Sequence, residues 1–262
     1  MAIGERIAIK SRREIELMRD IGHFTAEILL ELRERARPGV TTATLDEYAA
    51  RALEKRGLTS PFLGYAPGGV APYPAVLCTS VNDEIVHGIP GPRELREGDI
   101  ISLDFGVELR GWHGDSAVTI AVGGIDSEAK KLIETTHEAL DEGIAQMVPG
   151  NRLSDIGHAV ECRATKEGYG VVEQFVGHGI GRRMHEPPQV PNYGRPGRGP
   201  RLKPGMVFAI EPMVNIGSER VRVLDDEWTA VTADGSLSAH FEHTVLITDN
   251  GPEVLTRIEG SH

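Results

Sequence analysis

The chain has 262 residues, 28 basic against 39 acidic side chains, a formal net charge of −11 and two cysteines. That length suits one large domain or two small ones, and the acidic balance argues against wrapping nucleic acid or lying on anionic lipid. Two cysteines cannot make a disulfide scaffold, and no stretch approaches the ~18 apolar residues of a membrane span, so a soluble cytoplasmic protein is expected.

The first seventeen residues are charged throughout and lack the apolar run of a secretory leader. A helix is predicted over 11–36, where Ser11 and Glu14 make a capping box and Ile15, Met18, Ile21, Ile28, Leu29 and Leu32 keep a helical period. Pro38-Gly39 stops it. Thr44 and Glu47 read as a second capping box, opening a helix that Gly57 ends. Residues 61–74 include seven Gly or Pro in fourteen and form a predicted loop, followed by the strand-like AVLCTSV around Cys78. Residues 100–122 read as two β runs about a turn near Leu109-Arg110-Gly111. Helices are predicted over 127–147 and about 154–166, ended by Pro149-Gly150 and by Gly168. Ten of the nineteen residues in 187–205 are Gly or Pro, which predicts a loop. MVFAIEPMV (206–214) and LSAHFEHTVLI (237–247) read as strands.

Two segments repeat in the same order. RPGVTTATLDEYAARALEKRG (37–57) aligns without a gap on VPGNRLSDIGHAVECRATKEG (148–168), and REGDIISLDFG (96–106) aligns on KPGMVFAIEPM (203–213). The offsets are nearly equal, and Asp104 falls on Glu211. Duplication explains this better than chance. The expectation is one domain, 1–262, built of two related α+β halves at about 11–122 and 127–247.

The halves carry matching acids. A two-residue loop at Leu109-Arg110 sets Asp104 opposite Asp115, and one at Arg110-Gly111 shifts the pairing by two but keeps both on one face. A three-residue loop separates the faces. An isolated strand Asp is ordinarily solvated, whereas two on one face need a shared proton or a cation. Glu211 stands in the apolar run FAIEPMV, a costly place for a bare charge. Glu242 shares a strand face with Ser238, His240 and Thr244 in the alternation of 237–247. His178 lies between glycines in VGHGIG, and His185 follows in MHEPP. Single histidines are ordinarily structural. Grouped with four carboxylates, they suggest an oxygen-rich site for two divalent ions such as Mn, Fe, Co or Zn. HExxH, a phosphate-cradling lysine loop and GxSxG are all absent.

HGIP (87–90), LDFGVELRGWHGDS (103–116), GHGIGRRMHEPP (177–188), FAIEPMV (208–214) and FEHTVLI (241–247) resemble the ordered motifs of type I methionine aminopeptidases. The resemblance runs from the first helix to about Leu255. It implies the pita-bread fold, with two pseudo-symmetric α+β halves around a curved antiparallel sheet. It also implies removal of the initiator methionine from the N-terminus of nascent polypeptides ahead of a small second residue. Asp104 would chelate one metal, Asp115 and Glu242 would bridge both, and His178 and Glu211 would complete the other shell. The two ions would come from Co, Mn, Fe, Zn and Ni. By the same resemblance, Glu211 shuttles a proton, His185 stabilises the oxyanion and His87 contacts the scissile-amide nitrogen. Tyr73, Cys78 and Trp228 match positions lining the methionine side-chain pocket, and Met184 stands where the family often has Phe.

The short spacing from His185 to Glu211 and the few residues before the first helix fit the short bacterial form. A monomer is expected, with the ribosome as a further partner and neither membrane nor sequence-specific nucleic acid. Two same-fold rivals, a prolidase or aminopeptidase P-like peptidase and a non-catalytic binding module, are disfavoured by length and by the complete ligand set. A mononuclear iron oxygenase would leave carboxylates unexplained.

Overall fold

In the computed structural model, which describes residues 6–257, the first helix, α1 (Arg12–Arg35), starts where the capping motif places it. Glu14 reaches back to accept from the Ser11 N–H and hydroxyl, each at 2.8 Å. The termini of the 1–262 unit lie outside the described residues. α2 (Thr42–Arg56) is capped by Thr41 rather than Thr44: Thr41 is extended, and its hydroxyl accepts from the Thr44 N–H at 3.2 Å. Gly57 closes α2 in the left-handed region at φ 65°.

The strands are, in chain order, β1 (Cys78–Val81), β2 (Glu84–Val86), β3 (Ile100–Leu109), β4 (Trp112–Ala121), β5 (Gly170–Val171), β6 (Gly177–Gly179) and β7 (Glu186–Val190). They continue as β8 (Val207–Ile210), β9 (Met213–Asn215), β10 (Val221–Val223), β11 (Ala230–Thr232), β12 (Ser238–His240), β13 (Glu242–Thr248) and β14 (Gly251–Val254). α3 (Ser127–Ala145) and α4 (Leu153–Thr165) lie between β4 and β5. The main sheet runs β1-β3-β4-β13-β8-β6-β7, with β14 also on β13. Two three-stranded sheets, β10-β11-β2 and β12-β9-β5, accompany it. Every described pairing is antiparallel.

Three expectations need correction. The run 206–214 is not one strand. Pro212 has no N–H to continue a ladder, so the chain leaves the main sheet after β8 and enters the small sheet as β9. The run 237–247 likewise breaks at Phe241, which separates His240 on β12 from Glu242 on β13; Thr244 stays with Glu242. The predicted loop at 187–205 begins inside β7, an edge strand, where prolines are tolerated because one side of the ladder needs no donor.

One face of the main sheet is apolar. Ile101, Leu103, Phe105 and Val107 of β3 are fully buried against α1, joined by Met18, Ile21, Ile28 and Leu32. Truncating a side chain such as Phe105 to Ala there costs about 3–5 kcal/mol. α1 approaches so closely that a Cβ on Gly114 would stand 2.8 Å from Ile21 Cγ2. Farther along, Leu140 and Ile144 of α3 and Ile156 of α4 cover Phe208, Ile210, Val245 and Ile247. With helices on this face, the polar side chains are gathered on the other.

Candidate metal centre and substrate site

The β3–β4 hairpin turns through two residues, Arg110 and Gly111, both at positive φ (55° and 73°), as a type I′ turn requires. Leu109 therefore pairs with Trp112, Gly106 with Asp115 and Asp104 with Ala117. The acids are diagonal neighbours on one face. Ala117 also pairs with Glu242 and Asp104 with Cys78, so Cys78, Asp104, Ala117 and Glu242 form a row across β1, β3, β4 and β13. The second row is tied by Thr244, whose hydroxyl accepts from the Asp115 N–H (3.0 Å) and donates to its carbonyl (2.8 Å). Thr244 and His178 both pair with Ala209 of β8, which carries His178 to the same face. Glu211 joins from the break after β8.

Asp115, His178 and Glu242 each offer a ligand atom within 4.8 Å of the others and are only 4, 7 and 2% exposed. His178 Nε2 lies 3.4 Å from Glu211 Oε1 and 4.0 Å from Asp115 Oδ2. Its Nδ1 lies 2.9 Å from the Gly179 carbonyl; a carbonyl can only accept, so Nδ1 holds the proton and the Nε2 lone pair faces the carboxylates. Burial pushes Asp104 up to about 7. Asp115, Glu211 and Glu242 are pushed well above the carboxylate range by burial first and then by neighbouring carboxylates, Asp104 acting on Asp115, and Asp115 on Glu211 and Glu242. Burial and neighbouring His185 lower His178 to about 3.

Asp104 Oδ1, Asp115 Oδ1 and Glu242 Oε1 are buried with no hydrogen-bond partner. Orphaned carboxylate oxygens among like charges are costly. A divalent cation relieves both penalties, and hard oxygens with one imidazole suit it. The donor set fits a metal ion.

The other expected residues surround this cluster. The His185 ring lies 4.4 Å from His178, and its Nδ1 is 3.0 Å from the Tyr65 hydroxyl. His87, at φ 61°, sets its ring edge-on to Phe175 and Trp228; burial and then His185 lower it to about 4. Tyr73, Cys78 and Trp228 share one buried cluster, where Tyr73 donates to the Gly88 carbonyl and meets Trp228 edge-on at 5.1 Å. Burial, then the Asp104 charge, raises the Cys78 thiol. Met184 packs chiefly in the α1 core but converges with Phe62 over Gly106, where an added Cβ would be 3.3 Å from Met184 Cε and 3.0 Å from Phe62 Cε1.

Sequence reasoning missed Tyr65 and Phe62, which sit in the Gly/Pro-rich loop without periodicity to mark them. His240 appeared only in its strand alternation, yet it is 2% exposed with both ring nitrogens unpartnered. Burial, and then His87, lowers it to about 3.

Residues 16–249 match the model of metallopeptidase family M24. A methionine aminopeptidase of Clostridium perfringens is 52% identical, over 97% of this chain and all of that protein. Methionine aminopeptidase 1 of Bacillus subtilis is 49% identical, over 96% of this chain and all of its own length. The solved methionine aminopeptidase of Thermotoga maritima superposes with a TM-score of 0.93 at 45% identity, covering 97% of this chain and 100% of that one. An Xaa-Pro dipeptidase of Bacillus anthracis shares the fold alone, with a TM-score of 0.76 at 23% identity, over 97% of this chain and 63% of that one. The architecture is the pita-bread fold, and the chain belongs to the methionine aminopeptidases of metallopeptidase family M24.

Proposed function

We propose that this chain removes the N-terminal methionine of nascent polypeptides, using two divalent ions held by Asp104, Asp115, His178, Glu211 and Glu242. The observation that carries this reading is the buried Asp115–His178–Glu242 cluster with its orphaned carboxylate oxygens. When bound, the ions supply an activated water and Lewis-acid polarisation of the scissile carbonyl. Glu211, at the edge of the cluster, carries the proton from that water to the leaving amine.

His185 faces the oxygen that becomes negative. The Tyr65 hydroxyl lies 3.0 Å from its Nδ1; with the hydroxyl as donor, Nε2 carries the ring proton and can donate to the developing oxyanion. His87, kept neutral by burial, meets the scissile nitrogen. Tyr73, Cys78 and Trp228, with Phe62 and Met184 close by, gather apolar side chains suited to receive a thioether.

The natural setting of this reaction is the cytoplasm, where a monomer meets chains leaving the ribosome. The unit itself is a duplication. Gly39 and Gly57 in one copy, and Gly150 and Gly168 in the other, all adopt positive φ at aligned positions.

The test is release of methionine from Met-Ala-Ser by metal-free protein titrated with Co, Mn, Fe, Zn or Ni. Turnover rising to a plateau at two equivalents, with an X-Pro peptide left intact, is expected. No release with any of the five ions overturns the reading.

A further inference from the structure

We propose that Lys10 and Glu186 form a buried clamp that positions His185 for turnover, so that the segment ahead of α1 helps set the geometry of the candidate site. The proposal rests on the reading of His185 given above. Lys10 Nζ lies 2.6 Å from Glu186 Oε2, with the two side chains 4% and 11% exposed. Burying two charges is unfavourable unless their remaining hydrogen-bonding capacity is also used.

Here the glutamate's second oxygen is used on one short turn. Glu186 Oε1 accepts from the backbone N–H of Arg182 (2.7 Å) and Arg183 (3.2 Å), closing residues 182–186 on themselves. His185 is the residue immediately before the clamped glutamate. At the start of the turn, the Gly181 N–H donates to the Arg183 carbonyl at 3.2 Å. The Gly181 carbonyl accepts from the His113 N–H (2.9 Å) and Nδ1 (3.0 Å), fastening the turn to β4. The ammonium lies directly over Gly181, where an added Cβ would stand 2.3 Å from Lys10 Nζ. Lys10 is itself held by its backbone, its N–H donating to the Gly205 carbonyl at 2.8 Å. Trp112 lies beneath, with Lys10 Nζ 5.6 Å and the Arg182 guanidinium 4.7 Å from its ring centre.

These bonds fix both ends of the turn whose imidazole meets His178 edge-on and lies beside the Tyr65 hydroxyl. Neither Lys10 nor Glu186 touches substrate in this account. Both are positioning residues, and the alternative is a staple that serves stability alone.

A double-mutant cycle separates the two, read as kcat and KM for Met-Ala-Ser with metal-loaded protein. Lys10→Met is expected to lower kcat about 10- to 100-fold, the scale of a misplaced catalytic group, with KM nearly unchanged. Lys10→Arg, which keeps the charge, should recover most of the loss. In a His185→Ala background, Lys10→Met should cost nothing further. Equal fractional losses in both backgrounds, or an unchanged kcat in Lys10→Met, overturn the clamp. Full turnover by His185→Ala alone overturns the role of His185 and the clamp's purpose with it. If Lys10→Met does not fold, Glu186→Gln, which keeps an oxygen for the Arg182 and Arg183 amides, replaces it in the cycle.

Discussion

Asp104 separates what a carboxylate contributes to folding from what it contributes to chemistry. Without a cation its ionised form is disfavoured by burial, so the side chain is a liability to the metal-free fold. Asp104→Asn keeps the shape and removes the charge. The variant should melt no lower than the parent at pH 8 in chelator, while divalent-ion affinity and kcat each fall more than about 100-fold. Calorimetry and methionine release measure the two halves of that expectation. A variant with near-parental turnover would contradict the metal role of Asp104. Thr244 illustrates the supporting chemistry, since its hydroxyl spends both its capacities on the Asp115 backbone.

At the scale of elements, the turn at Arg110-Gly111 decides whether a site exists. Side chains alternate with a period of two, so one residue added between Arg110 and Gly111 would send Asp104 and Asp115 to opposite faces. Such an insertion should abolish both ion binding by titration calorimetry and methionine release. Retained ion binding would mean that the hairpin had slipped back into register. The amphipathic α1, the hairpin and the acids were legible because periodicity and charge are local properties. Which two residues formed the turn was not, since Leu109-Arg110 and Arg110-Gly111 differ only in backbone energetics. The break at Pro212 was signalled by the proline itself, whereas the break at Phe241 was hidden, because the strands on either side of it are defined by partners from other parts of the chain. β2, β10 and β11, at three residues each, are too short to show alternation. The apolar run around Glu211 marked an odd acid, and that oddity survived the misread strand.

For the whole molecule, the buried groups make stability depend on pH in two opposing ways. The raised carboxylates keep protons in the metal-free fold that the unfolded chain releases near pH 4, so their effect lowers stability as pH rises toward their folded values. The lowered histidines do the reverse. His178, His240 and His243, at about 3, and His87, at about 4, bind fewer protons folded than unfolded, so stability rises with pH up to about 6.5. The two effects oppose one another below pH 6.5. Just above it the histidine contribution has levelled off and that of the raised carboxylates remains. The stability of chelated protein should therefore fall between pH 6.5 and 7.5, by about 1.4 kcal/mol per pH unit for each proton the fold still holds and the unfolded chain has lost, and the thermal midpoint should fall with it. Saturating Mn²⁺ should flatten the slope, because an ion takes the place of those protons. Scanning calorimetry across that range checks both arms, and a flat profile in chelator would contradict the first.

The place of β13 in the main sheet has a consequence for synthesis. Besides β14, its neighbours are β4 from the first half and β8 from the second, so it is the seam that turns two three-stranded pieces, β1-β3-β4 and β8-β6-β7, into one sheet. The residues of both pieces are all synthesised before residue 242 is added, and each piece without β13 has an unpaired edge. Glu242 arrives on the strand that closes those edges. Sealing the sheet and completing the cation cluster are thus a single event, and a partly made chain offers an ion no finished site.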